Sequence, residues 1–181
     1  MSGRGTHSQT VADLLPRAAE MYGGKVAVKY KEGDRWVDRT FDEVLEIVRP
    51  LAFGLVTLGV EKGDRVSILG NTRPEWTYFD FAALSIGATV VPIYQTNSPE
   101  ECRYVLENSD SKVVVVEDAE QLEKVRAVRD QLQMERGEVI GKCVEMGVPI
   151  YHGRIDRTLF ETSLRSIAGA KLSPPSPRHQ H

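Results

Sequence analysis

GVEKGDRVSILGNTRPEWTYFDFAALSIGATVVPIYQT, residues 59–96, reads as turn, strand, turn, helix, strand. Gly63-Asp64 is a turn pair, and Arg65 to Leu69 is a short apolar run. Pro74 sits where a first helical residue belongs, with Glu75 beside the positive end of the helix dipole. Trp76, Phe79, Ala83 and Leu84 give that helix an apolar stripe, and Gly87 ends it. Thr89 to Tyr94 is the next strand. Ser98-Pro99-Glu100-Glu101 then combines a Ser N-cap, a Pro at the first helical position and a Glu two residues later. Cys102, Val105 and Leu106 line the inner face of that helix. Lys112 to Val116 contains four consecutive valines, the pattern of a strand covered on both faces, as parallel sheets require. Asp118 to Leu132 is a further amphipathic helix. Strands and helices alternate from Arg65 to Leu132, which predicts an α/β fold of βα units around a mostly parallel sheet, with Val113 to Val116 as a central strand.

Working back from Gly59, the pattern changes. Thr40-Phe41-Asp42-Glu43 is a T-x-x-E capping box. The helix that it opens carries Val44, Leu45, Val48, Leu51, Ala52, Leu55 and Leu58 at helical spacing, with Pro50 in its middle. An unrelieved kink at that proline costs about 3 kcal/mol. KVAVKY and RWVDRT flank Lys31-Glu32-Gly33-Asp34 and read as a hairpin. Before them, TVADLLPRAAEMY is a helical pattern with Thr10 and Asp13 as a capping pair. Val11, Leu14, Leu15, Ala18 and Tyr22 share one of its faces. Pro16 either kinks this helix or marks its true first turn. Gly23-Gly24 closes it.

Beyond Gln133 the signals weaken. EVIGKCVEMGVPI is apolar without clear periodicity, DRTLFETSLRSIAG reads as one helix, and KLSPPSPRHQH is rich in Pro and Ser. The expected organisation is a disordered start over 1–9, an α/β domain over 10–132, a weakly structured segment over 133–169 and a disordered tail over 170–181.

The chain has 181 residues, 41% of them hydrophobic and 27% charged, with a formal net charge of -3. This suits one globular domain and gives no bulk attraction to nucleic acid or an anionic membrane. No apolar run approaches the roughly 18 residues of a membrane span. MSGRGTHSQT lacks the apolar core of a signal peptide, so a cytoplasmic location is expected. Cys102 and Cys143 are far apart and in no CxxC pattern. Reduced thiols are the expectation, with a disulfide as the alternative.

No group of residues makes a recognisable active site. Gly70-Asn71-Thr72-Arg73 lies between a strand and a helix, where phosphates bind, but it has neither GxGxxG nor GxxxxGK[ST]. A plain connecting turn is the better reading. His7, His152, His179 and His181 show no metal-ligand spacing. There is no GxSxG elbow. The acid pairs Glu100-Glu101 and Glu117-Asp118 stand at helix starts, where the dipole explains them. Trp76 and Phe79 read as core rather than as a ligand box. Catalytic and metal-binding residues are therefore expected to be none, and cofactor-binding residues stay unknown.

Several pieces, in order, resemble the AMP-forming acyl-CoA synthetases, the adenylate-forming ligase superfamily. They are LAFGLVTLGV, GDRVSILGNTRPEW, ALSIGATVVPIYQTNSPEE and YVLENSDSKVVVVED. The composite GDRV, N-x-x-EW and GA-x-x-VP-x-Y-x-T carries the likeness. Pro92-Ile93-Tyr94-Gln95-Thr96 is most similar to the long-chain fatty acid branch, and the resemblance covers Thr10 to Leu132. It implies an incomplete N-terminal α/β subdomain. It also implies, for a complete family enzyme, ATP, magnesium and CoA as cofactors and a fatty acid as substrate. Such an enzyme forms acyl adenylate and pyrophosphate, after which the CoA thiol displaces AMP. The family's Gly-Thr-Thr-Gly phosphate loop and its adenylation lysine have no counterpart here. The expectation is thus a fragment, inactive alone and binding no cofactor by itself, with matched positions serving as scaffold. A non-catalytic module docking on a full-length ligase or another partner is the alternative, and an enzyme with an unrecognised site comes last. Self-association through exposed apolar surface is expected of such a fragment.

Overall fold

The computed structural model describes residues 5–132 and the backbone of residues 143–145, all within the first of the chain's two units, Met1–Gly147. The helix expected in DRTLFETSLRSIAG and the tail beyond it lie outside the described residues. The order of elements is α1 (Leu14–Tyr22), β1 (Val26–Glu32), β2 (Arg35–Thr40), α2 (Phe41–Thr57), β3 (Arg65–Leu69), α3 (Pro74–Ser85), β4 (Thr89–Ile93), α4 (Pro99–Ser109), β5 (Val113–Val116), α5 (Ala119–Val128) and β6 (Cys143–Glu145). A single 3-10 turn, Arg129–Gln131, follows α5.

β1 and β2 form an antiparallel hairpin, and the other strands form one sheet in the order β4-β3-β5-β6 with every neighbour parallel. β5 thus has a strand on each side. The chain enters at β3, steps to β4 on one side, then crosses back to β5 on the other. Right-handed crossovers place α3 and α4 on opposite faces of the sheet when the direction reverses in this way. The side chains agree. Leu69, Val114 and Val116 pack with Cys102 and Leu106 of α4 and Val125 of α5. By strand alternation, Val66, Ile68, Val113 and Val115 point to the other face, and all are fully buried. There α3 lies against β3 and β4, and α2 lies against α3.

The helix starts are built as their sequences require. Thr40 Oγ1 accepts from the Glu43 N–H at 3.3 Å while Glu43 Oε2 accepts from the Thr40 N–H at 2.8 Å. That bond, first among several, holds the Glu43 carboxyl below its usual range. Ser98 and Glu101 make the same reciprocal pair at 3.2 and 2.8 Å. The stops are equally specific. Gly59, at φ 87°, donates to Val56 O, and Val60 donates to Leu55 O. Gly87, at φ 78°, repeats the arrangement with Leu84 and Ala83. These paired bonds satisfy the last carbonyls of each helix, and the left-handed residue that they need suits glycine.

Three expectations change. α1 begins at Leu14 rather than Thr10, so Pro16 lies in its first turn, where a missing N–H costs nothing. Val11 and Leu14 are exposed, and the inner face is Leu15, Ala18 and Ala19. Asp13 does pair with Thr10 as the sequence suggests, its N–H donating to Thr10 Oγ1 at 3.3 Å while its carboxylate accepts from the Thr10 N–H at 2.9 Å, but this pair stands just before the helix instead of in its first turn. The Asp13 carboxylate gathers Ser8 Oγ, the Thr10 N–H, Thr10 Oγ1 and Arg17 Nε, with Ser8 the largest of the influences that hold it well below the usual carboxylate range. In α3 the buried residues are Tyr78, Phe79, Ala82 and Ala83, while Trp76 and Leu84 are half-buried. The stripe is displaced because α3 packs against α2 as well as against the sheet. α2 runs through Pro50 without a break. Glu46, whose carbonyl loses its helical donor there, is exposed, so water can satisfy it.

Pro92 of β4 faces Ile68 of β3, and among the described residues β4 stands at the edge of the sheet. A proline without an N–H is tolerated there and removes one donor from the outer rim. Replacing Pro92 with Val should complete a Thr-Val-Val-Val-Ile edge and promote self-association. Light scattering against protein concentration checks this. A variant as monodisperse as the parent would show that the edge is protected by something other than the proline.

Candidate functional site

A sheet of order β4-β3-β5 reverses direction between β3 and β5, and open α/β sheets take ligands at the carboxyl ends of strands at such a point. Here those ends are Leu69 and Val116, which are partners in the ladder. The chain leaves β3 through Gly70-Asn71-Thr72-Arg73 and leaves β5 through Glu117. Glu117 Oε2 accepts from the Asn71 backbone N–H at 2.6 Å and from Asn71 Nδ2 at 2.8 Å. Its other oxygen faces Arg73 Nη1 at 3.4 Å. Arg73 Nε is bound more closely by Glu75 Oε2, at 2.7 Å. The βα turn is therefore held by a carboxylate of the chain itself.

This revises the reading of the acids. Glu101 is a capping-box partner, and Asp118 caps α5 by accepting from the Gln121 N–H at 3.0 Å. Glu117 does neither and instead turns to the loop after β3. Its position directly after the valine strand was the one signal in the sequence. A residue there lies at the carboxyl end of a central strand, beside whatever leaves the neighbouring strand.

At the opposite end of the sheet the motif residues are likewise engaged. The buried Asp64 carboxylate accepts from the Glu61 N–H at 2.8 Å and from Lys112 Nζ at 3.0 Å. Arg65 donates to Ser109 O at 2.7 Å, to Asp110 O at 3.0 Å and to Asp110 Oδ2 at 2.6 Å. Between β3 and β5, Ser67 Oγ and Ser111 Oγ lie 2.7 Å apart, Ser111 Oγ and Ser109 Oγ 2.7 Å apart, and Ser109 donates to Leu106 O. A hydroxyl has one proton. Ser109 uses its proton on Leu106, so Ser111 donates to Ser109 and Ser67 donates to Ser111. The chain of hydroxyls is satisfied in one direction only, and it buries polar groups without leaving one of the three wanting.

Other reactive groups are quiet. Cys102 is free and fully buried, and burial pushes its thiol up, away from the reactive thiolate. Asp80 on α3 is half-buried, which raises its carboxyl. Among the described residues, no group of three or more His, Cys, Asp or Glu can hold a metal ion, and no helix is long and apolar enough to cross a membrane.

The comparisons with known proteins agree with this scaffold. The AMP-binding enzyme family matches residues 15–155, more than half of the chain. Long-chain-fatty-acid–CoA ligase ACSBG2 of Xenopus laevis is 38% identical over 123 residues, which are 68% of this chain and 17% of that protein. Long-chain-fatty-acid–CoA ligase FadD15 of Mycobacterium bovis is 43% identical over 106 residues, 55% of this chain and 18% of that protein. The chain thus spans less than a fifth of the length of these curated relatives. Among solved structures, a fatty acyl CoA synthetase of Mycobacterium tuberculosis superposes with a TM-score of 0.66 at 26% identity, over 87% of this chain and 28% of that one. The N-terminal domain of FACL13 from Mycobacterium tuberculosis shares the fold, with a TM-score of 0.67 at 23% identity, over 93% of this chain and 38% of that one. On this match of sequence and fold, the chain belongs to the AMP-binding enzyme family and is similar to its long-chain fatty acid CoA ligases.

Proposed function

We propose that this chain is the N-terminal scaffold of a long-chain fatty acid CoA ligase and performs no adenylation by itself. In the complete enzyme, the fatty acid carboxylate attacks the α-phosphorus of ATP and displaces pyrophosphate. The CoA thiol then attacks the acyl carbonyl and displaces AMP. ATP, magnesium and CoA belong to that enzyme, and the residues seen here contribute architecture to it. The observation that carries this reading is the engagement of the matched motifs. Asp64, Arg65 and Lys112 at one end of the central strands, and Arg73 and Glu117 at the other, are bound to each other, to backbone or to neighbouring strands and turns. Phosphoryl chemistry needs backbone donors and a cation aimed at the ligand. Here the Asn71 N–H and the Arg73 guanidinium are aimed at Glu117 and Glu75. A cytoplasmic site of action fits the same reading.

The test is pyrophosphate release with ATP, magnesium and a panel of fatty acids, with a full-length long-chain ligase as the positive control. The purified chain is expected to match the protein-free blank. Turnover that co-elutes with the chain through two unrelated columns would overturn the proposal and point to a site built from other residues.

A further inference from the structure

We propose that Glu117 is the latch of a short flap, Asn71–Arg73, which it holds closed across the carboxyl ends of β3 and β5. The inference rests on geometry alone and stands whether or not the ligase reading holds. Three donors of the flap converge on one carboxylate: the Asn71 N–H at 2.6 Å, Asn71 Nδ2 at 2.8 Å and Arg73 Nη1 at 3.4 Å. The latch is anchored beside the buried centre of the sheet. Glu117 follows four fully buried valines, and its own N–H donates to Leu69 O at 3.0 Å. Its side chain is 12% exposed, so the carboxylate is largely withdrawn from water. The flap itself is different in kind. Asn71 and Thr72 are exposed, and among the described residues their side chains make no hydrogen bond besides the one to Glu117. Arg73 has a second partner in Glu75, in the first turn of α3 and not in the sheet. The tie between flap and sheet is therefore concentrated in Glu117.

Local opening of a segment held this way needs only its own few bonds to break, and leaves the core intact. The place that it covers is the one where strand order reverses, at which parallel sheets of this order leave a crevice. Glu117 closes that crevice from within. Hydrogen bonds to a charged group are the stronger class, which is why one residue suffices.

Hydrogen exchange by NMR on the full chain tests the latch. In Glu117→Ala the Asn71 amide should exchange about tenfold or more faster, the loss expected for one charge-assisted bond, while the Val114 and Val115 amides keep their rates. Glu117→Gln keeps an acceptor oxygen and should fall between the two. Glu75→Gln, which leaves the Glu117 contacts in place, should not speed exchange at Asn71. Unchanged Asn71 exchange in a folded Glu117→Ala would overturn the proposal. So would acceleration of the valine amides in step with Asn71, or failure of both Glu117 variants to melt cooperatively, since either makes Glu117 part of the global fold.

Discussion

Val115→Asp should abolish the cooperative fold. Val115 is fully exposed to neighbours and not at all to water, in a strand paired with Ile68 on one side and Val144 on the other. Its face of the sheet also carries Val66, Ile68 and Val113, all fully buried. A carboxylate there meets apolar surface. Either it stays charged at a cost of several kcal/mol, or it takes up a proton and still lacks a hydrogen-bond partner. The stability of an ordinary domain is only about 5–15 kcal/mol, so this single term removes most or all of it. Val115→Ala separates the effect of charge from that of lost volume. It should lose about 2 kcal/mol, from two methyl groups and the residual cavity, and still melt cooperatively. Thermal melts followed by circular dichroism read both variants. If Val115→Asp melts at the parent temperature, the strand is not central and the topology fails with it.

The valine strand was also the plainest message in the sequence. Four buried β-branched residues in a row can be read without knowing what surrounds them, and so can a capping box or a proline at a helix start, because those signals act within a few residues. What the sequence hid depends on partners far along the chain. Asn71 and Glu117 are 46 residues apart, and Ser67 and Ser111 are 44 apart. Neither pairing follows from local pattern. β6 was hidden for the same reason. Cys143–Glu145 is three residues long and becomes a strand by pairing with β5, in a stretch whose own periodicity is poor. The displaced stripe of α3 belongs here too, since a helix that touches both a sheet and another helix buries an arc that its strongest apolar residues do not define. The candidate site shared this fate: the GNTR turn was legible as a turn, and the residue that holds it was not.

Arg65→Ala should cost about 2–4 kcal/mol, more than an ordinary surface ion pair. The Arg65 guanidinium works as the cap of a helix to which it does not belong. α4 ends at Ser109, and Asp110 follows in the left-handed region at φ 50°, donating to Glu107 O while Ser111 donates to Leu106 O. A residue other than glycine at that angle carries strain of about 1–2 kcal/mol. Arg65 offsets it by donating to Ser109 O, Asp110 O and Asp110 Oδ2, and its positive charge lies at the negative end of the helix dipole. The side chains of Arg65 and Asp110 are 23% and 16% exposed, so solvent screens the pair less than it would at the surface. The same arginine begins β3, and its carbonyl accepts from the Lys112 N–H at 2.9 Å. One residue thus fixes the start of the first sheet strand, the end of α4 and the entry to β5. This gives the GDRV motif a physical role in the fold. Arg65→Lys keeps the charge but not the planar fork, so it should recover less than half of the loss. Asp110→Gly should cost less than Arg65→Ala, because relief of the left-handed strain offsets the lost carboxylate. Urea titrations with an unchanged slope give these differences directly. An Arg65→Ala variant within about 0.5 kcal/mol of the parent, the usual range for neutral surface changes, would mean that α4 ends as it does without help from β3.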